Sequence, residues 1–414
     1  MSEYMDNNLD LIAPINWATS NDVIKVIGVG GGGCNAVDYM YRQNVEGCSF
    51  IVCNTDAQAL GACQVPTKIQ LGEGLGAGTN PSIGRNKALE TQDLIREKIL
   101  KDNTQMLFIT AGMGGGTGTG ATPVIAKMAK DAGILTVGVV TLPFVFEGKE
   151  KLSKSIEGIH ELEKNVDSLI VIKNENLYKV HGDKLIQDAF PKVNEVLSTA
   201  VSGIVEIIKK RGYINIDFKD IQNMMRDSGL ALMGCGSGNG ENRIADAVRN
   251  TFESPLLNDF DLKTAKHLLL NITVPFSQDG VTMKEQEEIN KEISKYTGNA
   301  NNFKYGLIFE DAPEFKDTIK ITAIATGFKF VTLLGPEIDK SNIIIISKDD
   351  EDVPQASMED EADDTIWSSH IGFNTTENKS KIKFNPEQKP AMLSDDENEL
   401  RDLETIPAIR RIQK

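Results

Sequence analysis

Gly112-Met113-Gly114-Gly115-Gly116-Thr117-Gly118-Thr119-Gly120 is the stretch that decides how this chain is read. An apolar run, Met106-Leu107-Phe108-Ile109-Thr110, precedes it and has the character of a buried strand. Ala121-Thr122-Pro123-Val124-Ile125-Ala126-Lys127-Met128-Ala129 follows and reads as a helix with proline in its first turn. A glycine-rich loop thus joins a strand to a helix N-terminus. Without Cβ atoms the backbone can approach a ligand closely. The unpaired N–H groups of the first turn, at the positive end of the helix dipole, suit an anion. Thr117 and Thr119 add hydroxyl donors. Six glycines in nine residues sacrifice too much backbone entropy for a plain turn.

Two further glycine loops flank this one. Val23 to Val29 reads as a strand, Gly30 to Gly33 as its loop, and Cys34 to Gln43 as the helix behind it. Gly28, Gly30 and Gly33 satisfy G-x-G-x-x-G, and Asp56 stands near the place of a ribose-binding acid after the strand Ser49 to Cys53. An NAD-dependent oxidoreductase is therefore an alternative on this half. Gly72 to Pro81 is the third loop, with Ser82 as the expected cap of one polar helix to Lys101. Strands at Ile134 to Thr141 and Ser168 to Ile172 continue the alternation with helices. That pattern implies a mostly parallel sheet covered on both faces, with ligands beyond the carboxyl ends of its strands.

The chain of 414 residues carries a net charge of -16, which argues against a general nucleic-acid binder. Residues 1–10 lack a signal peptide's basic and apolar regions, and no apolar run reaches membrane-spanning length. Direct membrane insertion is not expected. Five scattered cysteines without a CxxC read as reduced thiols of a cytoplasmic protein. Four dispersed histidines, His160, His181, His267 and His370, make a zinc site a poor fit.

Apolar residues keep helical spacing from Asp183 to Lys210, which would give a rod of about 40 Å. Pro191 inside it predicts a kink or a fresh start. Gly212 ends it. Three strands and one or two helices then suggest a small α+β domain, in which Gly234 to Gly240 reads as a structural loop. Residues 336 to 400 hold 17 acidic and 6 basic residues, the composition of a disordered linker. The ending, with Arg401, Arg410 and Arg411 among Leu403, Ile406, Ile409 and Ile412, reads as a docking peptide. The expected divisions are 1–20, a flexible start; 21–182, nucleotide binding; 183–212, a connecting helix; 213–335, the α+β domain; 336–399, the linker; and 400–414, the peptide.

No G-x-x-x-x-G-K-[ST] occurs, so this is not a P-loop protein. Phosphate charge must be met by backbone N–H groups, helix dipoles, hydroxyls and a metal ion. Several separate loops favour a triphosphate gripped over its length.

Gly114 to Gly120, G-G-G-T-G-T-G, is the signature loop of the tubulin superfamily. With Gly30 to Val37, Asn54-Thr55-Asp56-Ala57-Gln58, Pro143 to Gly148 and Asn215-Ile216-Asp217-Phe218-Lys219-Asp220, the chain resembles the bacterial cell-division tubulin homologues from Val23 to Gly327, and again at Ile406-Pro407-Ala408. The resemblance implies a tubulin-like α/β nucleotide-binding domain with a parallel sheet, a long central helix, a smaller α+β domain and a disordered C-terminal tail. It implies a GTPase that polymerises head to tail into the division ring, with GTP or GDP and Mg2+ as cofactors. Its implied nucleotide ligands are Gly30, Gly31, Gly32, Gly33, Asn35, Asn54, Asp56, Gly78, Thr79, Gly114, Gly115, Gly116, Thr117, Gly118 and Thr119. Glu147 would contact ribose and Lys151 phosphate. Asn174, Phe190 and Asn194 would hold guanine, Phe190 by stacking. Asn215, Asp217 and Asp220 would act on the GTP of the next subunit. The tail would bind membrane-tethering and regulatory division proteins, which recruit a cytoplasmic protein to mid-cell. Lys151 stands where the family usually carries Arg, keeping the charge but losing the bidentate fork. Asp217 could also cap a helix near Lys219.

Overall fold

Ten strands form one sheet in the computed structural model. It describes residues 23–176, 186–210, 212–254, 262–276, 280–297, 302–310, 315, 317–328, 343–345 and 371–373. Strands β1 (Ile24–Val29), β2 (Ser49–Asn54), β3 (Thr67–Gln70), β4 (Met106–Gly112), β5 (Leu135–Leu142) and β6 (Ser168–Lys173) are mutually parallel. Strands β7 (Gly229–Asn239), β8 (His267–Pro275), β9 (Asn302–Glu310) and β10 (Thr318–Phe328) complete the order β3-β2-β1-β4-β5-β6-β7-β10-β8-β9. β7 continues the parallel run beside β6, β10 runs antiparallel to both β7 and β8, and β9 is the outer edge. The nucleotide-binding and α+β halves read from the sequence thus share one sheet. The second half has four strands rather than three.

Strands β1, β4, β5 and β6 are buried on both faces, which is why they read as continuous apolar runs; the edge strand β3, Thr67-Lys68-Ile69-Gln70, buries only Ile69 and gives no such signal. Ile27 and Val29 of β1 join one core, Ile24 and Val26 the other. Helix α5 (Gly116–Asp131) covers the first face with Ala121, Val124, Ile125 and Met128. Helices α1 (Gly30–Arg42) and α7 (Ile186–Lys209) cover the second. Helices α2 (Ala57–Ala62), α3 (Pro81–Glu90), α4 (Gln92–Leu100), α6 (Lys149–Glu163), α8 (Phe218–Met225), α9 (Arg243–Phe252) and α10 (Met283–Thr297) complete the helical layers.

Several boundaries differ from those read in the sequence. α1 begins at Gly30 rather than Cys34, and α5 at Gly116 rather than Ala121, so Pro123 lies inside its helix and not in the first turn. The early glycines are helical because the helices press their first turns onto neighbouring backbone. A Cβ on Gly33 would lie 2.2 Å from the Thr110 carbonyl oxygen, and one on Gly118 would lie 2.4 Å from that of Gly112. Asn80, not Ser82, caps α3: its Oδ1 accepts from the Ser82 N–H at 3.0 Å, with Pro81 in the first turn. The single helix expected to Lys101 is broken at Thr91, whose hydroxyl donates to the Lys87 carbonyl at 2.9 Å and competes with the helical ladder.

α7 runs through Pro191 without a fresh start, over about 36 Å at 1.5 Å per residue. Gly234 to Gly240, expected as a loop, is strand as far as Asn239. Its glycines let α9 lie directly on β7, since a Cβ on Gly236 would sit 2.3 Å from the Thr251 nitrogen. Within the expected linker, Ile343–Ile345 pairs antiparallel with Ile371–Phe373, a use of its one aliphatic block. The 400–414 peptide lies outside the described residues. Among those described, no helix is long and apolar enough to cross a membrane.

Candidate functional site

The loops after β1, β2 and β4 meet at the carboxyl ends of neighbouring parallel strands. The long loop between β3 and α3 closes over them. Hydroxyl groups of Thr55 and Thr117 lie 2.6 Å apart. The Gly76 N–H donates to the Thr55 carbonyl at 2.9 Å, and the Ala57 N–H to that of Gly74 at 3.1 Å. Thr119 Oγ1 accepts from the Gly114 N–H at 2.8 Å, folding the signature loop back on its own helix. A Cβ on Gly116 would press on Ala77 at 2.7 Å, and one on Gly30 on the Gly118 nitrogen at 2.7 Å.

The glycines divide into two kinds. Gly30, Gly33, Gly114, Gly116 and Gly118 have protein where a side chain would be. Gly31, Gly76, Gly78 and Gly115 face open space, with nothing within 4 Å of an added Cβ. Gly76 and Gly78 still need glycine for their positive φ. Gly31 and Gly115 have neither crowding nor a positive φ to require it. There the open backbone leaves room for a ligand to approach. Thr79, Asn35 and Gly32 are exposed beside them.

Acidic groups near the loops already have partners. Asp56 Oδ1 accepts from the N–H groups of Gln58 (2.8 Å) and Ala59 (3.1 Å), capping α2. Asn54 Oδ1 accepts from the Asp56 N–H at 3.3 Å. Glu147 accepts from the Phe144 N–H at 2.9 Å and forms an ion pair with Lys151 one helical turn on. The Lys151 stem lies against Gly114, so Glu147, Lys151 and the signature loop are brought together. Just past β6, Asn174 is buried, and its Oδ1 has no hydrogen-bond partner among the described residues. A buried amide oxygen left in this way is open to a polar partner, water or ligand. Asn194 is half-buried on α7; the Phe190 side chain lies outside the described part. Cys34, directly behind Gly33, is no nucleophile: burial above all, then Cys53 and Cys63 beside it, push its thiol pKa up.

Asn215, Asp217 and Asp220 lie at the other end of the sheet. Asp217 caps α8 through the Asp220 N–H at 2.7 Å, and Asn215 Oδ1 accepts from the Gly212 N–H at 2.7 Å. The segment is stitched to the edge strand by bonds from the Tyr213 N–H to the Leu307 carbonyl (2.7 Å) and from the Leu307 N–H to the Ile214 carbonyl (3.0 Å). Phe218, Lys219 and Gln222 line one hollow with Thr104, Gln105, Gly133 and Ile134, where β4 and β5 begin. The glycine loops stand where those strands end. Seven residues of β4 separate the two, about 23 Å at 3.3 Å per residue. A cavity of about 1170 Å³ is elsewhere again, between the α1–β2 turn and the last turns of α7. It contains none of these side chains.

Lys304 of β9 was not singled out by the sequence. Its ammonium is 2.9 Å from Asp220 Oδ1. The hydrogen bond to Asp220, then the charges of Asp220 and Asp217, raise its pKa. No local pattern ties a lysine on an edge strand to a carboxylate so far back along the chain.

Among the described residues, no three His, Cys, Asp or Glu side chains converge as a metal cage would require.

Glycine loops gathered at the carboxyl ends of parallel strands mark a nucleotide-binding domain, here of the tubulin type. Comparison with known proteins agrees. Residues 23–182 match the family model described as "Tubulin/FtsZ family, GTPase domain", and residues 229–329 that of "FtsZ family, C-terminal domain". The cell division protein FtsZ of Wigglesworthia glossinidia brevipalpis is 46% identical over 314 residues, covering 75% of this chain and 80% of that one. That of Porphyromonas gingivalis (strain ATCC BAA-308 / W83) is 40% identical over 369 residues, covering 88% and 80%. An empty FtsZ dimer from M. jannaschii superposes with a TM-score of 0.66 at 37% identity, over 78% of this chain and 89% of that one. The chain belongs to the FtsZ family. It is a cell-division cytoskeletal GTPase whose nucleotides are GTP and GDP, and the NAD alternative falls.

Proposed function

We propose that this chain hydrolyses GTP only when copies stack head to tail, the 215–220 segment of one copy closing on the glycine loops of the next. The observation that carries this reading is that the helix capped by Asp217 packs where β4 and β5 begin, whereas the glycine loops stand where they end, a strand length of about 23 Å away within one copy. A second observation supports it. Uncovered apolar side chains occur on both segments: Leu75 (90% exposed) and Phe146 (69%) beside the loops, Tyr213 (79%) and Ile214 (42%) on the stretch that leads into Asp217. Exposed apolar groups of this kind mark contact surfaces.

In this reading Gly30 to Gly33, Asn35, Asn54, Asp56, Gly78, Thr79 and Gly114 to Thr119 form the phosphate cradle. Lys151 adds the positive charge. Glu147 takes the ribose; Asn174, Phe190 and Asn194 take the guanine, which would satisfy the unmet Asn174 oxygen. Mg2+, bound to the phosphates, would offset their charge. Asp217 and Asp220 of the neighbouring copy orient the water whose oxygen attacks the γ-phosphorus as the bond to the GDP oxygen breaks. Asn215 holds their loop in shape. Little covalent assistance is needed, since such transfers depend on positioning and electrostatics.

Sedimentation with GTP against GDP, with phosphate release followed on the same samples, tests the reading. Turnover per subunit should rise with protein concentration and track the pelleted fraction. Turnover per subunit that stays flat at every concentration would contradict it. The 400–414 peptide is the proposed recruitment element for membrane-tethering partners at the division site. Its removal should leave pelleting intact and abolish mid-cell localisation; loss of pelleting would contradict that assignment.

A further inference from the structure

The carboxylate loop carries an electrostatic difficulty. Asp217 and Asp220 stand within one turn of each other, and the proposed contact sets both against a triphosphate. Like charges brought together as water leaves repel more strongly than they do in solution. Lys304 is the one cation, among the described residues, within ion-pair distance of either carboxylate. Lys219, the nearest lysine in sequence, is turned away and donates to Gln222 Oε1 at 2.6 Å. Lys304 reaches the loop from β9, the strand to which residues 213 and 214 are stitched. Its carrier and the loop therefore move as one piece. The pair is partly exposed, with the Lys304 side chain at 50%, and a pair of that kind adds little to folding stability.

We propose that Lys304 is a positioning residue for GTP hydrolysis: it fixes the direction of the Asp220 carboxylate and offsets the negative charge of the loop as it meets the phosphates of the next copy. This role rests on the head-to-tail reading. It predicts an effect confined to assembly and to turnover within filaments, with none on the isolated subunit.

The test uses the full chain with Lys304→Gln and Lys304→Arg. GTP affinity of the dilute subunit, the melting temperature, and turnover per sedimented subunit are measured at low and high salt. Lys304→Gln should leave the first two unchanged. At low salt its turnover per sedimented subunit should fall about three- to tenfold, and the difference should shrink as salt screens the charges. Lys304→Arg should restore turnover. A Lys304→Gln chain as active as the parent at low salt overturns the role of Lys304, and so does an arginine variant as impaired as the glutamine one. A fall in melting temperature that tracks the lost activity shows a structural role instead. Flat turnover in the unmutated chain overturns the head-to-tail reading and this role with it, so the two failures are told apart by the parent protein.

Discussion

Asp217→Asn should fold as the parent does, bind GTP with unchanged affinity, and lose about two to three orders of magnitude of turnover in filaments. Asparagine is the informative replacement because Asp217 has two tasks. Its Oδ1 accepts the Asp220 N–H at the start of α8, and asparagine caps a helix as well as aspartate does. The loop and the packing of Phe218 and Ile221 should therefore persist. What disappears is the negative charge and its capacity to accept a water proton. Alanine would remove the cap as well, at about 1 kcal/mol, and would confuse the two tasks. Phosphate release by sedimented filaments, beside nucleotide titration of the dilute subunit, checks the outcome. Wild-type release from Asp217→Asn filaments would remove Asp217 from the chemistry and leave it a cap.

Gly31→Ala should separate folding from binding in the opposite way. Gly31 lies in the first turn of α1 with open space where the methyl would go and no positive φ to strain it. Alanine in a helix should stabilise the fold by about 0.5–1 kcal/mol relative to glycine. The same methyl would occupy space proposed for phosphate. Overpacking of that order, about 1–3 kcal/mol, would weaken GTP binding about ten- to a hundredfold. Gly33→Ala is the control. Its methyl would meet the Thr110 oxygen at 2.2 Å, so it should damage the fold itself. A melting curve and a GTP titration on each variant decide the matter. Undiminished GTP affinity in Gly31→Ala would show that no phosphate approaches that backbone.

Most of the parallel half of the fold was legible because its inner strands are buried on both faces and leave apolar runs such as Met106 to Ile109; β3, half-exposed at the edge, leaves no such run and was not read. The glycine loops were legible as places, though not as shapes. Glycine ordinarily signals loop, yet Gly30 to Gly33 and Gly116 to Gly120 are the opening turns of helices. What the sequence could not show is how near another backbone would come: Thr110 to Gly33, Gly112 to Gly118, Thr251 to Gly236. Contacts of that kind come from tertiary packing, which overrides local propensity. The Thr91 break escaped notice because a threonine inside a polar helix gives no warning of its back-bond. In the site, the residue types and loops were readable. Their division between opposite ends of the sheet depended on where α8 comes to rest, and Lys304 depended on which strand lies beside it.

The edge strand β9 bears on solubility. A sheet that ends in an exposed strand offers unpaired N–H and C=O groups as a template for further strands, which is a route to disordered aggregation. Here the segment carrying Tyr213 and Ile214 crosses that edge and occupies both backbone groups of Leu307. A protein that accumulates copies of itself along one axis needs every other axis closed. In the head-to-tail reading proposed above, the segment that would deliver Asp217 and Asp220 to a neighbour is also the bolt across the β9 edge, so loosening it should invite sideways clumping as well as slow catalysis.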